Sequence, residues 1–113
     1  QHFVAFRFLP SIGPTKQQEV MDRFLELKYL CKNATTGLPY IVSLDAGYAN
    51  SPEGADQKMQ EGFIVTFNSV ADRDYYVGRP FFYPYDPYHD AFKAYVGPLL
   101  DKNGAFVFDF TVV

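Results

Sequence analysis

The stretch Asp86-Pro87-Tyr88-His89-Asp90-Ala91-Phe92 decides how the second half of this chain folds, because it carries the signals that begin a helix. Asp86 is a preferred N-cap residue, whose carboxylate can accept hydrogen bonds from the free amides of the first turn. Pro87 suits the first helical position, where its missing N–H costs nothing and its φ is already helical. The sequence therefore predicts a helix from Pro87 to about Val96, which Gly97-Pro98 kinks or stops.

His89, one of two histidines in the chain, falls in the first turn of this predicted helix. The helix dipole is positive there and disfavours an imidazolium ion, so we expect a neutral ring that can accept a proton. Phe92 and Val96 follow at i+3 and i+7, which places His89 beside the buried face of the helix. If the protein has a reactive centre, we expect it here.

The length of 113 residues suits a single domain, 1–113, with one hydrophobic core. The chain has 12 phenylalanines and nine tyrosines, and nine of these aromatic residues lie between Tyr75 and Tyr95. Such clustering predicts an aromatic-lined cavity or an aromatic interface. An apolar or aromatic small molecule is the expected ligand of such a cavity.

Charge and residue spacing exclude several classes of protein. The net charge is −3 and no basic run is present, which argues against nucleic-acid binding. No apolar stretch approaches the ~20 residues of a membrane-spanning helix. One cysteine, Cys31, and two histidines lack metal-ligand spacing, and no glycine-rich phosphate loop occurs, so we expect neither a metal nor a cofactor.

No secretory signal opens the given sequence, and we expect a cytoplasmic protein. Secretion is the alternative, in which case Asn33-Ala34-Thr35 would be a candidate glycosylation site.

The periodicity of apolar residues predicts an α+β fold. In chain order the predicted elements are a strand at 2–9, a helix opened by a Thr15–Gln18 capping box, strands at 40–48 and 61–67, a short helix capped by Ser69 and Asp72, the helix at 87–96, and a strand at 105–113 after an Asn103-Gly104 turn. This order is that of a ferredoxin-like fold, a four-stranded antiparallel sheet with helices on one face.

The first and last predicted strands are apolar on both faces. In the last strand, one face consists of Phe106, Phe108, Phe110 and Val112. Helices cover only one face of such a sheet, so the second apolar face needs another partner. We therefore predict a homodimer in which two sheets pack against each other.

Five stretches, by their order and spacing, resemble the stress-responsive A/B barrel domains, a family of dimeric α+β barrels. They are HFVAFRF at 2–8, GFIVTF at 62–67, DYYV at 74–77, DPYHDAF at 86–92 and FDF at 108–110. The most specific piece is the Pro-x-His-x-x-Phe helix start, which in the family follows a short helix that bears a tyrosine. The resemblance covers nearly the whole chain and implies a ferredoxin-like dimeric α+β barrel.

The resemblance also implies a possible activity. The family includes plant cyclases of the olivetolic acid cyclase type, which close a linear poly-β-ketone by an aldol reaction. There a histidine at the helix start is the general base and a tyrosine of the preceding helix assists, and these match His89 and Tyr75. A first-strand histidine near the cavity matches His2, for which a half-exposed position at the start of a terminal strand is the favoured alternative. If this chain is an enzyme, the resemblance implies a polyketide cyclase-like lyase without a cofactor.

Two alternatives follow from the same resemblance. Other family members are stress-induced proteins with no established chemistry, which implies a non-catalytic stress-response protein. Related barrels include cofactor-free monooxygenases and haem-handling proteins, and in a haem protein His89 would be the axial ligand.

The sequence departs from the family pattern at three places. Asp86 replaces the first histidine of the usual His-Pro-x-His. The insertion Gly78–Tyr85 lengthens the spacer between Tyr75 and His89 and could reshape the cavity. Glu61 stands where the cyclase has another histidine, and a solvent-exposed strand end is favoured for it over a cavity carboxylate with a raised pKa.

We expect His89 to remove an acidic proton between two carbonyls while Tyr75 or Tyr76 donates to the enolate oxygen. The alternative for His89 is a structural role, bonded to a neighbour and shielded by aromatic rings. The aromatic segment Phe81–Tyr85 is either a lid over the ligand or an arm at the dimer interface. The residues expected to contact the substrate are His2, Phe24, Glu61, Tyr76, Phe82, Tyr88 and Phe92.

Overall fold

The strands and helices follow one another in the predicted β-α-β-β-α-α-β order. The computed structural model describes residues 1–113. Its elements are β1 (His2–Phe8), α1 (Pro14–Leu30), β2 (Ile41–Tyr48), β3 (Glu61–Phe67), α2 (Val70–Val77), α3 (Pro87–Val96) and β4 (Leu100–Asp109), with a 3₁₀ turn at Gly97–Leu99. The strands form one antiparallel sheet in the order β2-β3-β1-β4. The ferredoxin-like α+β fold is confirmed.

The core lies between the helices and one face of the sheet. In β1 the residues at even positions, His2, Val4, Phe6 and Phe8, point to this face and are buried. Phe63 of β3 lies opposite Val4 in the strand register. The ring of Phe24 from α1 stacks on Phe63 with centroids 3.9 Å apart, which fixes α1 against the middle of the sheet.

The start of α1 differs from the prediction. The helix begins at Pro14 after Gly13, and no side chain caps it. Because Pro14 takes the first helical position, Thr15 lies inside the helix and its hydroxyl cannot serve as an N-cap. The predicted Thr15–Gln18 capping box is therefore wrong.

The last strand also differs from the prediction. β4 runs from Leu100 to Asp109, straight through the predicted Asn103-Gly104 turn. β1 pairs Phe6 with Ala105 but Phe8 with Leu100, so the dipeptide lies in a bulge. Asn103 has a φ of +58°. A Cβ at Gly104 would lie 2.3 Å from the Arg7 carbonyl oxygen, so only glycine fits there.

The caps of the two short helices match their predictions. The Ser69 hydroxyl accepts a hydrogen bond from the Asp72 amide at 3.1 Å and begins α2. The Asp86 carboxylate accepts bonds from the amides of Tyr88 at 2.8 Å and His89 at 3.4 Å. These bonds fix the first turn of α3, which carries His89.

The face of the sheet opposite the helices is apolar and open. Phe106, Phe108 and Phe110 are each 44 to 56% exposed there. The ring of Phe3 packs against Phe106 with centroids 6.1 Å apart, which makes the aromatic surface continuous between β1 and β4. None of the helices combines the length and the hydrophobicity that crossing a lipid bilayer requires.

Candidate functional site

The largest of the three main cavities, about 780 Å³, lies on the helix side of β1 and β4, beside α3. The segment 79–82 forms part of its rim. Its apolar wall includes Val4, Phe6, Phe24, Phe82, Phe92 and Val107. The volume and the mostly apolar lining are typical of small-molecule sites.

His89 enters the cavity wall from the first turn of α3. Its Nδ1 lies 2.5 Å from the backbone carbonyl oxygen of Tyr76, which can only accept, so Nδ1 carries the proton and donates. Nε2 then holds the lone pair; it makes no hydrogen bond and is not fully buried. Burial lowers the pKa of His89 to about 3, and the charge of Lys93 acts in the same direction. The ring is neutral, as expected, but burial is the first cause of this.

His2 lines the same cavity from β1. Its Nδ1 lies 2.7 Å from a carboxylate oxygen of Asp109, and the other Asp109 oxygen accepts a bond from Arg73 at 2.7 Å. Burial lowers the pKa of His2, and Asp109 partly offsets this effect. An imidazole whose Nδ1–H is held by a carboxylate presents its other nitrogen as a base, as in hydrolase triads.

Tyr76 separates the two histidines. Its ring stacks on His89 with centroids 3.7 Å apart and an interplanar angle of 14°. It also contacts His2, at 5.7 Å and edge to face, and Phe67, at 5.1 Å. The Tyr76 hydroxyl is buried without a hydrogen-bond partner. Tyr76 therefore holds the two rings in place but is not part of the cavity lining.

Five charged residues also line the cavity: Arg73, Arg79, Asp90, Lys93 and Asp109. Arg79 forms a two-pronged pair with Asp90, at 2.9 and 2.7 Å. The Lys93 ammonium donates to the carbonyl oxygens of Val77 at 2.7 Å and Arg79 at 2.8 Å. These bonds anchor the segment after α2 to the side of α3.

The insertion 78–85, whose aromatic part 81–85 was predicted as a lid or an interface arm, contributes residues 79–82 to the cavity lining. Phe81 and Phe82 line the cavity, and Phe81 is 75% exposed. The Asp86 amide donates to the Tyr75 carbonyl at 3.0 Å, so the segment leaves and rejoins the helical layer at one point. The peptide bonds before Pro80 and Pro84 are cis. This position favours the lid over the interface arm.

The structure brings five of the predicted site residues together and leaves four outside. His89, His2, Phe24, Phe82 and Phe92 line the cavity, whereas Tyr75, Tyr76, Tyr88 and Glu61 do not. Tyr75 packs its ring against Tyr40, with centroids 5.7 Å apart. Neighbouring residues of a helix point about 100° apart, so only one of the two tyrosines in α2 faces the histidines. Tyr88 is 50% exposed, on the outer side of α3.

Glu61 is buried, which corrects the expectation of a solvent-exposed strand end. It is 1% exposed, because β3 is paired on both sides from its first residue. Both carboxylate oxygens lack a hydrogen-bond partner. Burial raises the pKa of Glu61 to about 7, and the charge of Asp22 adds to the shift.

A second buried polar contact supports the start of α3. The Tyr40 hydroxyl donates to the Asp86 carboxylate at 2.6 Å, and Asp86 is 1% exposed. The bond ties the N-cap of α3 to the residue before β2. It holds the backbone turn from which His89 projects.

Sequence reasoning missed all five charged residues of the cavity lining, among them Lys93, Asp109 and Arg73. Lys93 follows His89 by four residues and therefore shares its helix face, a signal that was available. Asp109 and Arg73 meet His2 only through the register of β1 with β4 and the placement of α2. No local pattern in the sequence reports such a register.

Comparison with known proteins identifies the family to which the fold belongs. The family model described as Stress responsive A/B Barrel Domain matches residues 1–112. No curated protein sequence gives a significant match.

Solved structures with similar folds come from plants and bacteria. A protein from Arabidopsis thaliana has a TM-score of 0.76 and 20% identity, covering 99% of this chain and 93% of that one. A hydroxynitrile lyase from Passiflora edulis has a TM-score of 0.72 and 19% identity, covering 99% and 91%. A dimeric ferredoxin-like protein of unknown function from Jannaschia sp. CCS1 has a TM-score of 0.73 and 19% identity, covering 98% and 96%. Identities this low establish the fold alone.

Proposed function

The chain belongs to the stress-responsive A/B barrel domain family, and from that premise we propose that it binds an apolar or aromatic small molecule in the cavity and acts on it without a cofactor. The proposed activity is that of a polyketide cyclase-like lyase with His89 as general base. One observation carries it: two neutral histidines line one apolar cavity, and each has its Nδ1 proton engaged and its Nε2 unpaired.

The substrate class is a linear β-ketone, whose protons between two carbonyls are already acidic. Nε2 of His89 takes one such proton, and the electron pair of the C–H bond becomes the enolate. The enolate carbon then bonds to a distant carbonyl carbon of the same molecule. The resulting alkoxide takes the proton back from His89, so the ring returns to its starting state.

The low pKa of His89, about 3, suits this step in one respect. In the empty cavity the ring stays neutral and ready to accept. An imidazolium becomes stable there only next to a negative charge, and the enolate formed by the same transfer supplies that charge. Proton and enolate therefore stabilise each other until the ring closes.

A second candidate reaction is cyanohydrin cleavage, which His2 and Asp109 favour. A carboxylate-bonded imidazole is suited to removing a hydroxyl proton, and one neighbour in fold is a hydroxynitrile lyase. In that reaction the O–H proton moves to Nε2 of His2, the carbon–carbon bond breaks, and cyanide leaves with the electron pair. Cyanide then takes the proton, and an aldehyde or ketone remains.

We also propose that the protein is a homodimer that packs sheet against sheet. The supporting features are the exposed phenylalanines of β4 and the dimeric state of three ferredoxin-like neighbours. Burying this surface would remove the largest aromatic patch of the sheet from water.

The test compares turnover of a reactive linear tri- or tetraketide by the native protein, His89→Asn and His2→Asn. An asparagine amide can still donate from the position of Nδ1, to Tyr76 or Asp109, but it has no basic nitrogen. We expect cyclised product from the native protein and a loss of roughly 100-fold in His89→Asn, the usual contribution of a general base. A larger loss of activity in His2→Asn than in His89→Asn would mean that His2, and not His89, is the general base.

Equal product from the native protein, His89→Asn and buffer would remove the cyclase activity for the substrates tested. Release of cyanide from mandelonitrile would then favour the second reaction. If neither occurs, the non-catalytic stress-response role and the monooxygenase or haem-handling alternative remain, and an absorbance spectrum after addition of haem tests the haem-handling one.

A further inference from the structure

The cavity lining includes three cationic side chains, Arg73, Arg79 and Lys93. Arg73 is paired with Asp109 at 2.7 Å, and Arg79 is paired with Asp90 through two bonds. Lys93 has no carboxylate within ion-pair distance. It is therefore the one cation of the cavity that forms no ion pair; the carboxylate whose charge acts on it, Asp90, is paired with Arg79.

The ammonium group of Lys93 is nevertheless fixed in position. It donates to the carbonyl oxygens of Val77 and Arg79 at 2.7 and 2.8 Å. An ammonium has three N–H donors, so one is left unused. The side chain is half-buried, and burial lowers the pKa of Lys93, which signals incomplete solvation of the charge.

Lys93 lines the same cavity as the proposed base. His89 and Lys93 are four residues apart on α3 and share one helix face, and the charge of Lys93 lowers the pKa of His89. Both expected donors to an enolate oxygen are elsewhere, because Tyr75 packs on Tyr40 and the Tyr76 hydroxyl is buried away from the cavity. On the face of α3 that carries His89, the candidate donor to an oxyanion is therefore Lys93.

We propose that the Lys93 ammonium receives an anionic oxygen of the ligand, so that the cavity selects apolar or aromatic molecules that carry one carboxylate or enolate oxygen. This inference rests on the proposed function, since it requires a ligand in the same cavity. It divides the chemistry between two residues of one helix: His89 takes the proton and Lys93 binds the charge that the proton leaves behind.

A purely structural lysine would make the same two backbone contacts and tie the end of α2 to α3. The two roles differ in one property. A structural lysine affects neutral and anionic ligands alike, whereas a charge receptor affects only the anionic one.

The experiment measures binding of 2-naphthoate and of its neutral isostere 2-naphthamide by titration calorimetry at pH 7.5 and low salt. The variants are Lys93→Met, Lys93→Arg and Lys93→Gln; the amide of the last can still donate to the two carbonyls without a charge. Lys32→Met is the matched control, because it removes the same charge from an exposed residue outside the cavity lining.

We expect the native protein and Lys32→Met to prefer the naphthoate roughly tenfold, as a charge-assisted hydrogen bond predicts. Lys93→Met and Lys93→Gln should lose that preference while they bind the amide within about twofold of native. Lys93→Arg should keep part of the preference, since the cation is retained.

Equal binding of both probes by the native protein would overturn the role of Lys93 and leave ligand binding intact. The role is also overturned if Lys93→Gln keeps the preference, or loses affinity for both probes equally. Binding of neither probe to the native protein would overturn this inference together with the ligand-binding function on which it rests.

Discussion

The rings of His89 and Tyr76 stack 3.7 Å apart, and the same histidine donates its Nδ1 proton to the backbone carbonyl of the same tyrosine. One residue thus determines both the plane of the imidazole and its tautomer. The remaining nitrogen has a defined direction before any ligand arrives, and such preorganisation is what a general base requires.

His89 makes the stability of the protein depend on pH. Its pKa is about 3 in the folded protein and near 6.5 when unfolded, so the unfolded chain takes up the proton first. The stability contributed by the neutral ring is full above pH 6.5 and falls as the pH drops toward 3. Between pH 8 and pH 5 we expect the free energy of unfolding of the native protein to fall by about 2 kcal/mol more than that of His89→Asn. Urea unfolding at both pH values measures this, and parallel stability curves would contradict it.

Glu61 gives the stability of the protein the opposite dependence on pH. Its pKa is raised to about 7 in the folded state, so the stability associated with the protonated acid is full below about pH 4.5 and is lost as the pH rises through 7. We expect Glu61→Gln to match the native protein at pH 4.5 and to exceed it by up to about 3 kcal/mol at pH 8. Glu26→Gln, on the exposed side of α1, is the control and should follow the native curve. A constant difference between native protein and Glu61→Gln would exclude a titrating Glu61.

The Tyr40–Asp86 bond should be among the costly contacts to remove. Tyr40→Phe leaves a buried carboxylate oxygen without its donor, which typically costs about 1–3 kcal/mol. Tyr76→Phe removes a buried hydroxyl that has no partner, so it should be neutral or stabilising. Each variant loses one tyrosine hydroxyl. The difference between their free energies of unfolding in urea therefore compares a hydrogen-bonded buried hydroxyl with an unpaired one. Equal effects would mean that Asp86 does not depend on Tyr40.

The dimer proposal predicts that a charge on the open face of the sheet separates the subunits. We expect a native mass of two 12.9 kDa chains and a single-chain mass for Phe108→Glu, because a buried unpaired carboxylate is not tolerated in an apolar interface. Light scattering after size exclusion measures both masses. Phe81→Glu is the control, since Phe81 lies on the helix side and should leave the mass unchanged. A native monomer would refute the proposal outright.

The parts of the fold with local signals were predictable from the sequence. Ser69 and the Asp86-Pro87 pair locate two helix starts within a residue, since capping depends only on neighbours in the chain. β3 has its predicted bounds, Glu61–Phe67, because strict alternation ends where polar residues begin. The Asn103-Gly104 dipeptide misled, because a turn and a bulge need the same positive φ.

The site was less predictable because it depends on contacts between distant segments. His2 and Asp109 are 107 positions apart, and their pairing follows from strand register. The choice between Tyr75 and Tyr76 depends on how α2 is rotated about its axis. In the structure Tyr76 is the buried tyrosine that contacts the histidines. Two adjacent tyrosines in a sequence do not indicate which of them will be buried.

The segment 78–85 closes at its base, where the Asp86 amide donates to the Tyr75 carbonyl and Gly78 has a φ of +65° against the side chain of Tyr85. A loop whose two ends meet can gain or lose residues without displacing the helices that it joins. Insertions and deletions at this position are therefore expected to change which molecules enter while the imidazole keeps its place. Divergence among relatives, and libraries for directed evolution, should tolerate far more variation in residues 80–84 than in Arg79, which is paired with Asp90, or in the turn that follows the segment.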